Sequence, residues 1–394
     1  MKKIVVIYEG VADAPLDDLD GRTPLQAARA SSAGRLAENG RGGMLSGCPE
    51  GFEDRNEVVL ALLLGIPASD ARRLFRGPLE ALSAGMEAGR DHMVYRANFV
   101  TMDGNTLCRG AIPPLSLEET RILTASLQEV CDPSEILLEV LGPTRVLVRV
   151  KVESGNNPSG ISPFRAEGAD LNDVLPIHRK SDLLRDFIEG ANKVLEGHPV
   201  NEVRIDLGEN PANGIWLWGG GRVPDPGSVN VEGLQGGCML TSNAMARGLA
   251  GLAGMNTVEL VNPWNAVDKK PPDFAVARLM ERLSDTDLLV VYAESPMEGG
   301  RYGSATDKVW ALEKLDRYVL APLMTVLESQ RPFRLVLTTD SFTPTESGIA
   351  VQAPLPMVMF GEGIVADDVS HWDEEECKAG SLGIMPLERI MPVL

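Results

Sequence analysis

Residues 3–8, Lys-Ile-Val-Val-Ile-Tyr, run directly into Glu9 and Gly10. A short β-branched run that stops at an acidic residue and a glycine is the pattern of a buried parallel strand whose carboxyl end opens a pocket. Similar runs at 202–207, 288–292, 334–338 and 357–360 predict further strands, and 24–39, 58–64, 181–196, 243–253, 273–283 and 305–329 predict helices. Strands alternating with helices predict an α/β fold built on a mostly parallel sheet covered on both faces. The pattern changes between 86 and 163. Strands at 93–102, 135–141 and 145–152, a helix at 117–130 and turns at Asp103-Gly104 and Gly142-Pro143 predict a small α+β cap over 86–163, inserted into a core made of 1–85 and 164–394.

At 394 residues, with 44% apolar and 24% charged side chains, the chain suits a large packed fold and not a disordered one. Its 56 acidic against 37 basic residues leave a net charge of −19, which repels phosphodiester backbones and sets nucleic acid aside as a partner. The five cysteines, Cys48, Cys108, Cys131, Cys238 and Cys377, are odd in number and never spaced as a C-x-x-C pair, so reduced thiols in a cytoplasmic protein are expected. Glu9 and Asp13 break the opening apolar run too early for a signal peptide, and no stretch is long enough to span a bilayer, so no membrane association is expected. The acidic run 373–376 reads as a solvated helix start.

Ligands of open α/β sheets sit beyond the carboxyl ends of the strands, which singles out Glu9, Glu294 and Asp340. Three carboxylates in one pocket need a cation, a guanidinium or a proton between them, and the alternative is that each caps a local turn. The segments Trp218-Gly219-Gly220-Gly221-Arg222 and Gly236-Gly237 lack the Gly-Lys-Ser/Thr of a P-loop and read as tight turns. Arg76 and Arg96, beside a turn and on a cap strand, are candidates for anion contact, while Arg72 and Arg73 read as surface charges. The four histidines, His92, His178, His198 and His371, stand far in sequence from the three strand ends, so an imidazole-rich metal site is not expected.

Longer motifs bring in a family. Gly21-Arg22-Thr23-Pro24-Leu25-Gln26-Ala27-Ala28, Arg76-Gly77-Pro78-Leu79-Glu80-Ala81, Arg96-Ala97-Asn98-Phe99-Val100-Thr101, Pro211-Ala212-Asn213, Trp216-Leu217-Trp218-Gly219 and the closing 388–394 resemble the archaeal-type cofactor-independent phosphoglycerate mutases over essentially the whole chain. The resemblance implies an alkaline-phosphatase-like core with an inserted cap. It also implies two divalent metals, usually manganese, and a serine that takes the phosphoryl group and returns it to the other hydroxyl of glycerate.

Matched position by position, the family's first-strand Asp is Glu9, and its nucleophilic Ser is Asn56, followed by Glu57. Met297 and Arg301 stand where the family has an Asp and a His that bind metal. Its later Asp-His pair reads Asp340-Ser341, with Thr343-Pro344 following as in the family. No histidine occurs in 348–353, the cap's Asp-Pro-His reads Asn157-Pro158-Ser159, and a helical Lys is Arg247. The anion-facing Arg76, Arg96, Asn98 and Arg204 are kept, and Arg247 joins them as an anion-binding candidate. These matches imply one emptied metal position and, through Glu9, Asn56 and Asp340, at most one oxygen-ligated Mg or Mn. The expected function is a catalytically silent relative that holds a small anion, a protein partner or a second copy. Two alternatives stay open: altered chemistry with Arg301 supplying charge and Glu9, Glu57 or Asp340 as base, and a working glycolytic mutase interconverting 2- and 3-phosphoglycerate.

Overall fold

The computed structural model describes residues 1–52, 55–110, 115–152, 159–170, 181–225, 227–229, 231, 233–259, 285–302 and 304–394. The expected helix at 273–283 and the pair Asn157-Pro158 lie outside them. The chain divides into two compact units, Met1–Arg73 with Pro226–Leu394, and Leu74–Asp225.

In the first unit the opening run forms β1 (Lys2–Tyr8), and β2 is Arg41–Leu45. Later segments add β8 (Cys238–Leu240), β9 (Asn256–Val258), β10 (Leu288–Ala293), β11 (Phe333–Thr339), β12 (Leu355–Gly361) and β13 (Ile384–Met385), giving the order β13-β2-β12-β11-β1-β10-β8-β9. The sheet is mostly parallel; β12 runs antiparallel to β11 and β2. Ile4, Val6 and Tyr8 pack on one face against Leu36, Leu312, Leu315 and Leu323, while Val5 and Ile7 are buried on the other. A two-sided core therefore explains an uninterrupted apolar strand. Tyr8 pairs with Ala293 of β10 and with Thr339 of β11. The residues that follow, Glu9, Glu294 and Asp340, consequently leave the sheet at one level.

The long helical stretch after residue 305 is one continuous run of three pieces: Ala305–Leu315, a π-helical turn Asp316–Leu320, and Ala321–Glu328. Pro322 has no N–H to give to the ladder, and the Ala321 N–H reaches back five residues to the Asp316 carbonyl. The expected helix over 24–39 is two helices, Pro24–Ala27 and Ser31–Glu38.

The second unit is built on an antiparallel sheet of β3 (His92–Asp103), β4 (Thr106–Arg109), β5 (Ile136–Gly142), β6 (Arg145–Lys151) and β7 (Gly214–Gly221). It extends beyond the 86–163 segment read from the sequence. β7 pairs with β3 along Val94–Val100, and Leu184, Phe187, Ile188 and Ala191 of the helix Asp182–Glu196 fill the core beneath the sheet. Two local expectations are corrected here. Residues 202–207 form no strand but part of the helix Pro199–Asp206, which starts at a His198 cap accepting from the Val200 N–H, and the alternating Val203, Ile205 and Leu207 are exposed. The Trp218-to-Gly221 glycines are no turn but the end of β7. A Cβ on Gly221 would stand 2.6 Å from the Phe75 ring, so glycine lets the aromatic lie against the strand.

The loops beyond β1 and β11 are fastened by a buried ion pair. Lys308 Nζ donates to Asp13 Oδ2 at 2.8 Å and to the Thr343 carbonyl at 2.8 Å, while Asp13 also accepts from the Thr345 N–H and hydroxyl. Removing one partner strands a buried charge, so Lys308→Met is expected to lose about 3–5 kcal/mol in urea unfolding, with Asp13→Asn in the same chain recovering part of it.

Candidate functional site

Glu9 is fully buried just past β1, and its Oε1 accepts from Asn56 Nδ2 at 2.7 Å. Asn56 opens the wholly buried helix Asn56–Leu63, whose apolar residues hold it against the sheet mouth. Asp340 is equally buried. Its Oδ2 accepts from the Tyr292 hydroxyl at 2.8 Å, and its Oδ1 from the Gly10 N–H at 3.0 Å and the Ser341 hydroxyl at 3.0 Å. Burial pushes the Asp340 carboxyl above its ordinary range, against the lowering effect of these donors. The Thr343 hydroxyl lies 3.2 Å from that of Ser341, extending the polar chain.

Gly10 makes the tight exit from β1 with φ +66°, and a Cβ there would stand 2.7 Å from Met297 Cβ. Met297 Sδ lies 3.9 Å from Asn56 Nδ2 and 3.6 Å from Arg301 Nη2, and Arg301 donates from Nε and Nη2 to the Gly348 carbonyl. Asn56, Met297, Arg301, Glu9, Asp340 and Ser341 thus gather at one mouth. Glu294 is bound instead by Asn243 Nδ2 at 2.8 Å and Ser242 Oγ at 3.4 Å. Glu57 pairs with Arg55 at 3.0 Å, and Arg247 with Glu259 at 2.6 Å. Among the described residues no three His, Cys, Asp or Glu side chains come together as a metal-binding group.

The second unit has its own charged cluster. Glu80, one helical turn beyond Arg76, accepts from Arg76 Nε at 2.9 Å and from Arg96 Nη1 at 3.0 Å. Arg96 also donates to the Thr144 carbonyl and to Asn98 Oδ1, which takes the Trp218 indole N–H at 2.9 Å; the Arg76 guanidinium lies 5.5 Å over the Trp218 ring. Arg204, expected with this group, is tied to Glu119, Glu209 and the Asn210 carbonyl. Tyr292 and Glu80 are the members that sequence reading missed. Only Glu80 carried a signal, the i,i+4 spacing from Arg76 on one helix face.

Fold and mouth define an α/β protein with a buried polar mouth beyond the carboxyl ends of parallel strands, the place where sheets of this class hold their ligands. The family model described as 2,3-bisphosphoglycerate-independent phosphoglycerate mutase matches residues 37–201. The mutase of that name from Methanosarcina barkeri is 30% identical over 396 residues, covering 100% of this chain and 99% of the relative. The one from Methanothrix thermoacetophila is 31% identical, covering 98% and 97%. The chain belongs to the 2,3-bisphosphoglycerate-independent phosphoglycerate mutase family. Among solved structures, the PH0037 protein of Pyrococcus horikoshii shares the fold with a TM-score of 0.70 at 22% identity, covering 100% of this chain and 96% of that one. The cofactor-independent phosphoglycerate mutase of Thermoplasma acidophilum does so with 0.55 at 22% identity, covering 100% and 99%. Among the described residues no helix is long and apolar enough to cross a membrane, and the five cysteines form no disulfide.

Burial opposes ionisation of Glu80, but Arg96, Arg76 and Arg145 outweigh it and bring its carboxyl from 4.5 down to about 2. A depressed folded-state value means stability that is whole above about pH 4.5 and is lost as the pH falls toward about 2. Glu80→Gln is expected to cost roughly 3 kcal/mol at neutral pH and to flatten the acid limb of the stability curve, read by urea titrations across that window.

Proposed function

We propose that this protein keeps the phosphoglycerate mutase scaffold without two-metal phosphoryl transfer, and acts by holding a small anionic ligand or a protein partner. The observation that carries this reading is the Asp340 carboxyl, which accepts from Tyr292, Gly10 and Ser341 while Glu9 is taken by the Asn56 amide. Hydrogen-bond donors of the chain itself stand at both Asp340 oxygens and at Glu9 Oε1, which would have to face cations.

The donor set does not fit a two-metal centre. Where the resemblance implies metal-binding side chains, the mouth presents a thioether, a guanidinium and a hydroxyl, from Met297, Arg301 and Ser341. Hard divalent cations need several oxygen ligands, and transition metals favour imidazole. Asn56 has no hydroxyl to carry a phosphoryl group, so no covalent step is assigned to it. In the second unit, Arg76, Arg96 and Arg145 all act on Glu80, and guanidiniums gathered in one place suit the recognition of a small anion, which supports an anion as ligand.

Purified protein is incubated with manganese, magnesium or cobalt and assayed for interconversion of 2- and 3-phosphoglycerate, with metal content measured on the same samples. The expected result is no turnover above a protein-free blank and sub-stoichiometric metal. Calorimetry with 3-phosphoglycerate is expected to show binding weakened about tenfold by Arg76→Ala and unchanged by Arg247→Ala. Turnover at the rate of the mutase relatives, with metal bound stoichiometrically, would replace this reading by the relatives' own reaction.

A further inference from the structure

Away from the strand-end mouth, two residues of the first unit with buried polar groups line the same small cavity. Tyr8 is only 1% exposed, and among the described residues its hydroxyl has no hydrogen-bond partner. The Asp316 carboxylate is 3% exposed and accepts from the Ser32 N–H at 3.0 Å and the Ala33 N–H at 2.8 Å. Among the described residues no cationic side chain pairs with it, and burial pushes its carboxyl above the ordinary range. Its position comes from the π-helical turn that starts at this residue, a feature that in helices often marks a functional site.

The cavity measures about 40 Å³, and its walls include Tyr8, Asp316, Trp372, Leu25 and Ala33, with the exposed His371 among the lining residues. The rings of Tyr8 and Trp372 meet edge-on with centroids 5.9 Å apart. His371 has its hydrogen bond with Ser370 and forms no ion pair with Asp316. A buried carboxylate without a counter-charge and a buried hydroxyl without a partner each cost free energy, and aromatic walls attract cations. The space exceeds one water, which needs roughly 10–15 Å³, and is far below the roughly 150 Å³ that holds a benzene ring.

We propose that this cavity binds a small ammonium-type cation, whose N–H groups donate to the Asp316 carboxylate and to the Tyr8 phenolic oxygen with its alkyl end against Trp372. Such a cation supplies the charge that Asp316 lacks and the partner that Tyr8 lacks at once. The site is independent of the strand-end mouth and of any reaction there.

Thermal unfolding of the full chain is followed with rising methylammonium chloride, beside sodium chloride and tetramethylammonium chloride at equal ionic strength. The tetramethylammonium ion has no N–H to donate. Methylammonium is expected to raise the midpoint saturably, by about 2 °C at ten times its dissociation constant, while the other salts do not. The shift is expected to shrink in Tyr8→Phe and vanish in Asp316→Asn. Tyr8→Phe keeps the ring and removes only an unpartnered hydroxyl, so it reads the site even where Asp316→Asn weakens the start of the helix Ser31–Glu38. Equal shifts from all three salts, no saturable shift in the unaltered protein, or a full shift in both variants would each overturn the proposal.

Discussion

The parallel register of β1 with β10 and β11 is the constraint on which the rest of the molecule turns. By pairing Tyr8 with both Ala293 and Thr339 it brings acidic residues out of the sheet side by side and away from water. Buried carboxylates cannot remain without compensation, and a protein has two ways to provide it, with cations or with hydrogen-bond donors. This chain uses donors: an amide for Glu9, a phenol, a backbone N–H and a hydroxyl for Asp340, an amide and a hydroxyl for Glu294. The Lys308–Asp13 pair then holds the loops that leave β1 and β11.

Charge in the second unit follows the same rule with the sign reversed. Arg76 and Arg96 are brought close by the helix Arg76–Ala84 and by β3, and Glu80 makes their proximity tolerable. One carboxylate thus meets several guanidiniums, and the Trp218 ring lies beneath the Arg76 guanidinium. Arg204 shows the opposite outcome. It is surrounded by Glu119, Glu209 and a carbonyl, so its charge serves the local packing of its helix.

Scaffold and chemistry rest on different residues in this fold. The scaffold rests on apolar strands, on glycines such as Gly10 and Gly221 where another group presses close, and on buried pairs such as Lys308–Asp13. Phosphoryl-transfer chemistry of the kind implied by the resemblance rests on a handful of side chains at the mouth, and replacing these leaves strand register and core untouched. That is why full-length similarity near 30% reports the scaffold and leaves the chemistry of the mouth a separate question.

Much of the fold was legible in the order of residues. Apolar runs such as 288–292 and 334–338 reported strands because burial on both faces demands unbroken hydrophobicity, and the helix Ala244–Leu252 lies within the 243–253 stretch read as helical. The strand ends bearing Glu9 and Asp340 were legible for the same reason, since a strand's end marks the pocket in this class of sheet. Residues 202–207 and the glycines of β7 were misread because their neighbours decide their state: an exposed alternation need not pair, and Tyr95 and Phe75 give the bare strand its packing. Tertiary structure alone decided which groups meet. Neither the Tyr292 hydroxyl on Asp340 nor Glu294 turned to Asn243 leaves any local trace, because hydrogen-bond partners far apart in sequence are chosen by register and burial.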